Sequence, residues 1–496
     1  VASRTTGTAR GLLGVMVVLA GMVLACPNPA SIVPTALLNF AIFTALAVAL
    51  ELPVAHLIAA SCFALAYLVI YHVFVGHIPW ENLRVMSLLE VSLSVSSGQA
   101  WAGVFVLFVV ASEWLSRRKR LPDAGYYLIA AGLVAVLSLG LVTLGIVSPG
   151  TSSFTTWWVY GIYSLGAIWI AWRRRLAPLA WVGSGLLFAA LGVGFSHTLR
   201  LEFPWQIALL THATICAIGA VISSRDRRVA ILSEPLNRSA LISLTFGIVS
   251  LFVVNVWQTT AMQAQLVFWI AGTLLILLWL NRNRVLFNAF QIALTCGVVL
   301  TVKATLQQYV WYSYLPHAFL HPTALQIQGT LLALLVLAWI GLRFVVRRQR
   351  RASTELGHWL DDAWRLLDSY TFDRIVSWAL IVGFLLLAIY GSLAGITQEL
   401  AAWGSGYPGY DVAGFPHQEA LGLGSWIVLG LLTVAMLANY WERRRSIYLL
   451  GALAVFSGAV PLLAGLFESQ VATATAWRWL AALFLIVGSV ALWNRR

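Results

Sequence analysis

An all-α, polytopic integral membrane bundle of about sixteen transmembrane helices is the fold this sequence predicts, and three observations predict it. The chain is 60% hydrophobic and only 10% charged, with mean hydropathy +0.86. A soluble globular domain carries about 25% charged residues. Its continuous apolar runs are close to the roughly 17–25 residues that a helix needs to cross a bilayer, and barrel strands would be shorter and alternating. Seven arginine clusters punctuate these runs, each after an even-numbered one. They are Arg117–Arg120, Arg173–Arg175, Arg225–Arg228, Arg282–Arg284, Arg347–Arg351, Arg443–Arg445 and Arg495–Arg496. Apart from Arg84, Arg200, Lys303 and Arg478, every basic residue then falls on one side. The positive-inside rule makes that side the cytoplasm and puts both termini there.

In order, the expected spans are 11–26, 34–50, 54–76, 100–116, 126–147, 154–172, 176–196 and 207–224, then 239–257, 266–280, 285–306, 326–346, 374–396, 425–441, 446–467 and 478–494. Consecutive spans pair as hairpins. The first span has a second reading, because Arg4 and Arg10 precede an apolar stretch ending Val23-Leu24-Ala25-Cys26, which resembles a secretory signal with a loose lipobox. An uncleaved helix is the expectation. Trp114, Trp172, Trp279, Trp441 and Trp493 each stand just before an arginine cluster, as an aromatic belt beside a basic rim would place them. Duplication of a hairpin would give the same rhythm.

Three longer polar segments interrupt the bundle. The external stretch 77–99 alternates apolar and serine residues and is expected to lie along the membrane surface as an amphipathic loop. The cytoplasmic stretch 347–373 places Leu356, Trp359, Leu360, Ala363 and Leu367 on one helical face, with Asp361, Asp362 and Asp368 largely off it. That pattern predicts an interfacial helix, with a docking helix for a cytoplasmic partner as the alternative. The external loop 397–424 is rich in Gly and aromatic residues and holds Glu399, Asp411, His417 and Glu419.

Within the spans, small residues are expected to mark helix packing, since association in lipid depends on close backbone approach. Gly451, Gly458 and Gly465 recur on one face of one helix, and Gly391 with Gly395 forms a Gly-x-x-x-Gly pair on another. The four cysteines show no metal or disulfide spacing. No Asp or Glu falls near the middle of any span, which argues against a proton-coupled pump working through buried carboxylates. No phosphate-binding loop, zinc-protease or kinase pattern is present.

Histidine is the remaining chemical handle, because imidazole serves as base or metal ligand near neutral pH. His72, His77, His197, His212, His317 and His321 map to the external loops or outer helix ends. His72 and His212 form the one plausible intramembrane pair for a haem. No cofactor is expected; haem or a metal on these histidines is the alternative. His197, Arg200, Lys303, His317 and His321 together suggest an external site for an anionic ligand such as a lipid diphosphate. For Lys303, snorkelling to the interface is the simpler reading.

The stretch Pro316-His317-Ala318-Phe319-Leu320-His321-Pro322-Thr323-Ala324-Leu325-Gln326, followed by an apolar helix, resembles the external histidine segment of O-antigen ligases and polymerases. The resemblance implies glycan transfer from a lipid diphosphate carrier at the outer membrane face. Ala318 and Pro322 stand where that family usually has Asn, and its large external loop has no counterpart in the short 307–325 segment.

The leading functional expectation is a non-catalytic membrane subunit or scaffold of a larger envelope assembly in a bacterial inner membrane. An envelope enzyme or flippase for lipid-linked glycans is the alternative, and a solute transporter without buried carboxylates is the third. Expected partners are other membrane subunits and membrane lipids, with anionic headgroups facing the cytoplasmic arginines and no nucleic acid.

Overall fold

Helix is the only regular structure among the described residues. The computed structural model describes residues 20–81, 84–147, 156–254, 259–310, 321–352, 375–384, 423–443 and 445–459, with isolated residues 18, 312, 386, 478, 481 and 482. In chain order the helices are α1 (Pro29–Ala49), α2 (Ala55–Phe74), the short α3 (Val85–Ser92), α4 (Val95–Arg117), α5 (Leu121–Val147), α6 (Trp157–Arg174), α7 (Ala177–Val193) and α8 (Pro204–Arg225). There follow α9 (Ser233–Val254), α10 (Thr260–Asn281), α11 (Arg284–Leu306), α12 (Pro322–Ala352), α13 (Ile375–Phe384), α14 (Leu423–Arg443) and α15 (Ser446–Ser457).

Eleven of these helices are long and apolar enough to cross a membrane. The chain is therefore an integral membrane protein with many spans. The expected segment 154–172 corresponds to α6, which is as long as a span but carries Trp157, Trp158, Tyr160, Tyr163, Trp169 and Trp172 along its length. The expected segments 374–396 and 446–467 are described only as the short helices α13 and α15, and half of 11–26 and most of 478–494 lie outside the described residues.

Local chemistry sets the starts of α1, α4 and α10 several residues earlier than hydropathy does. The side chain of Asn28 accepts a hydrogen bond from the Ala30 amide, and Pro29 occupies the first turn, where its missing N–H costs nothing. Ser94 caps α4, Thr259 caps α10 and Asn283 caps α11 in the same way. The stretch 77–99 is accordingly divided, its middle forming α3 and its end the first turn of α4. At the other side, α12 runs on to Ala352, so the start of 347–373 continues a spanning helix; 353–373 and 397–422 lie outside the described residues.

The chain divides into two units, Val1–Gly247 and Ile248–Arg496. In the first, the hairpins α1–α2, α4–α5 and α6–α7 are the closest pairs, and α2 also packs on α4 and α5. Its main core joins Ala60, Phe105, Phe108, Tyr127, Val142, Tyr163 and Val193 from α2, α4, α5, α6 and α7. In the second unit α11 packs on α10 and α12, and α14 packs on α12 and α15. One of its cores groups Ala333, Ile381, Phe384, Leu432, Met436, Tyr448 and Val455.

Within each unit the arginine clusters gather at one end. In the first, Glu113 of α4 is bonded by both Arg117 and Arg173, and Arg174 donates to Ser116 Oγ at 2.6 Å. The 3-10 turn Ala230–Leu232, just beyond Arg225–Arg228, packs against α6 and α8. In the second, Leu278, Phe287, Trp339 and Val346 form one cluster that joins the end of α10, the start of α11 and the end of α12.

Candidate functional site

The exposed polar site best defined by geometry stands at the end of the first unit away from its arginine clusters. It begins with the stop of α2. After Val75, Gly76 adopts φ +81, a left-handed conformation glycine reaches without steric cost. The chain turns back, and the His77 amide donates to the carbonyl of His72 at 2.9 Å. The two rings then lie 5.2 Å apart, with His72 Nδ1 and His77 Nδ1 at 3.0 Å.

The other face of His72 meets the start of α4. Ser94 caps that helix, and the hydroxyl of Ser97 donates to the carbonyl of Val91 at 2.6 Å. His72 Nε2 lies 2.7 Å from the same Ser97 oxygen. Because the Ser97 proton goes to a carbonyl, which can only accept, His72 must donate through Nε2. His72 Nδ1 is then the acceptor, and His77 must donate through its own Nδ1. The basic nitrogen of the assembly is therefore Nε2 of His77, on an exposed ring.

His212 is a contrasting case. Its Nε2 donates to the Ser184 carbonyl at 2.9 Å and its Nδ1 accepts from Ser243 Oγ at 2.8 Å, so one buried ring joins α7, α8 and α9. Cys216 Sγ lies 3.4 Å from Nε2. The ring nitrogens of His72 and His212 are each engaged by other groups, and no hydrogen bond or ring contact links the two histidines.

The residues expected to form an external anionic site fall in both units. His197 lies half-buried in a π turn, Gly194–Thr198, and Arg200 follows it, exposed, with φ +47. Both follow the C-terminal end of α7. In the second unit Lys303 is half-buried in the last turn of α11, and His321 is enclosed just before α12. Val302, Leu306, Tyr312 and Ala324 pack between those two helix ends. His317 lies outside the described residues.

Three charged or polar arrangements were not anticipated from the sequence. His56 is 2% exposed and faces Asp123 at 3.7 Å, which in turn faces Arg120 at 3.9 Å. Arg343 is 1% exposed and lies 3.7 Å from Glu442, an ion pair between α12 and α14. Serine hydroxyls also tie hairpins together: Ser138 donates to the Gly98 carbonyl at 2.5 Å, Ser164 to Gly183 at 2.7 Å and Ser112 to Ala124 at 2.8 Å.

At the expected packing glycines, a Cβ on Gly451 would approach Met436 Sδ to 3.0 Å, and one on Gly458 would fall 2.5 Å from the Phe384 ring. Gly391, Gly395 and Gly465 lie outside the described residues. Among the described residues no group of three or more His, Cys, Asp or Glu side chains could hold a metal ion. The cysteines are free, Cys62 and Cys216 buried and Cys26 and Cys296 exposed.

Comparison of the chain with protein-family models, with curated proteins and with solved structures finds no match.

Proposed function

We propose that this chain is a non-catalytic, multi-pass subunit or scaffold of a membrane assembly. The observation that carries the reading is how its buried polar groups are used. Ser112, Ser138, Ser164, Ser184, His212, Ser243, Gln326 and Ser425 all bond across helix pairs. Polar groups that join helices stabilise the bundle; a transport site would instead turn such groups toward a shared cavity. The outward surface remains apolar, with Phe252, Val253, Leu144 and Val136 among its most exposed side chains, ready to meet lipid or neighbouring subunits.

The finer features of the proposal are about sixteen spans, both termini in the cytoplasm, and a bacterial inner membrane. The gathering of arginines at one end of each unit supports the orientation, as does Arg118 lying 5.3 Å from the centre of the Trp114 ring at that end. Its partners are other membrane subunits and anionic headgroups.

A second reading, an envelope enzyme or flippase handling lipid-linked glycans at the outer face, is favoured by one observation. In that reading the exposed His77 ring, backed by His72 and Ser97, serves as the proton acceptor at the outer end. Replacing His77, His197, Arg200, His317 and His321 together by Ala separates the two. The scaffold reading expects normal protein level and unchanged envelope glycans. Loss of a glycan at full protein level would contradict it.

A further inference from the structure

We propose that the groove between the arginine ends of α12 and α14 is a binding site for an anionic phospholipid. The groove has a volume of about 920 Å³, near the upper end of the roughly 300–1,000 Å³ typical of small-molecule sites. Its walls are Leu337, Ile340, Gly341 and Phe344 from α12, facing Ala438 and Trp441 from α14. A Cβ built on Gly341 meets nothing within 4 Å, so the absent side chain leaves open space along the wall. Phe344 and Trp441, 64% and 79% exposed, stand at its sides.

Polarity is confined to one end. Arg347 and Arg348 line the groove one turn beyond Phe344, and Glu442 lines it from α14. The Glu442 carboxylate lies against Arg343, buried behind the wall at 3.7 Å. That pairing offsets the one negative charge, so the groove mouth retains the two positive charges of Arg347 and Arg348. An apolar trough ending in two arginines at the edge of a membrane span complements acyl chains ending in a phosphodiester. Basic pockets between spanning helices on the cytoplasmic side take headgroups of this kind. Arg347 and Arg348 offer planar, multidentate donors to phosphate. A soluble phosphate compound would have no use for the apolar wall, and an apolar helix would have none for the arginines. The inference is independent of the scaffold reading, because either a subunit or an enzyme can hold a lipid there.

The test is native mass spectrometry of the delipidated full chain titrated with phosphatidylglycerol, phosphatidylcholine or inorganic phosphate. Phosphatidylglycerol should bind in a saturable one-to-one step, more tightly than phosphatidylcholine. Arg347→Gln with Arg348→Gln should weaken that step on the order of thirtyfold, while leaving phosphatidylcholine unchanged. Gly341→Phe should weaken both lipids by filling the trough. Because Gly341 faces open space, this variant tests the site even where the double arginine variant does not survive extraction. Equal binding of the two lipids would overturn the proposal. So would phosphatidylglycerol binding unaffected by Gly341→Phe, or its full displacement by inorganic phosphate.

Discussion

Ser164 Oγ donates to the carbonyl oxygen of Gly183 at 2.7 Å, across the α6–α7 hairpin. The bond and the glycine belong together, since a Cβ on Gly183 would stand 2.7 Å from Ile168 Cγ1 and 3.0 Å from the Ser164 carbonyl. Gly98 and Ser138 repeat the arrangement in α4–α5, where a Cβ would meet Val142 Cγ2 at 2.7 Å. The small residue supplies the close approach and the hydroxyl exploits it. Gly183→Val should therefore cost about 1–3 kcal/mol through overpacking. Ser164→Ala should cost only about 0.6 kcal/mol, the usual worth of a hydrogen bond between membrane helices. Thermal unfolding in detergent measures both, and the reverse order would show that the bond dominates.

His212 joins three helices through a single ring. His212→Leu keeps much of the volume but leaves Ser243 Oγ and the Ser184 carbonyl without that partner. A loss of about 1–3 kcal/mol is expected from stranding buried polar groups. His212→Gln should recover part of it, because an amide can donate to one side and accept from the other. Equal stability of all three forms would remove His212 from the account of packing.

Arg343 and Glu442 behave as a pair whose members depend on each other. Glu442→Gln removes the charge opposite a guanidinium that is 1% exposed, and a loss of about 3–5 kcal/mol is expected. Arg343→Met combined with Glu442→Leu should be far less harmful than Glu442→Gln alone, because no charge is then left buried. A double-mutant cycle on unfolding midpoints measures the coupling, and additive losses would show that the 3.7 Å contact carries no energy.

Orientation is tested by labelling. In a background with the four native cysteines replaced by Ala, His77→Cys should react with a membrane-impermeant maleimide added outside intact cells. Arg118→Cys should react only after the membrane is opened. The opposite pattern would invert the topology and move the arginine-end groove to the outer face.

Much of the architecture was legible in hydropathy, because a span must hide its backbone from lipid along its whole length. The positions of α2, α5, α7, α8 and α11 follow from their apolar runs alone. The starts of α1 and α4 did not, because the caps Asn28 and Ser94 extend those helices beyond the apolar stretch. The aromatic α6 and the 31-residue α12 show the same limit: composition marks what lies in lipid and leaves open where a helix stops. Reading histidines by their place relative to the spans singled out His72, His77 and His212, and paired His72 with His212 in place of His77. Their partners were hidden, because Ser97, Ser184 and Ser243 are ordinary residues until folding brings them together. Only Gly76 hinted that His77 turns back on His72. Arg343 passed as one more cytoplasmic arginine, since its partner lies nearly a hundred positions away on another helix.

The most direct measurement is native mass spectrometry of the chain extracted gently from its own membrane, with bound components retained. The scaffold account predicts stoichiometric companion subunits that stay bound through purification. A lone chain carrying a lipid-diphosphate mass, released when His77 and Arg200 are replaced by Ala, would contradict it.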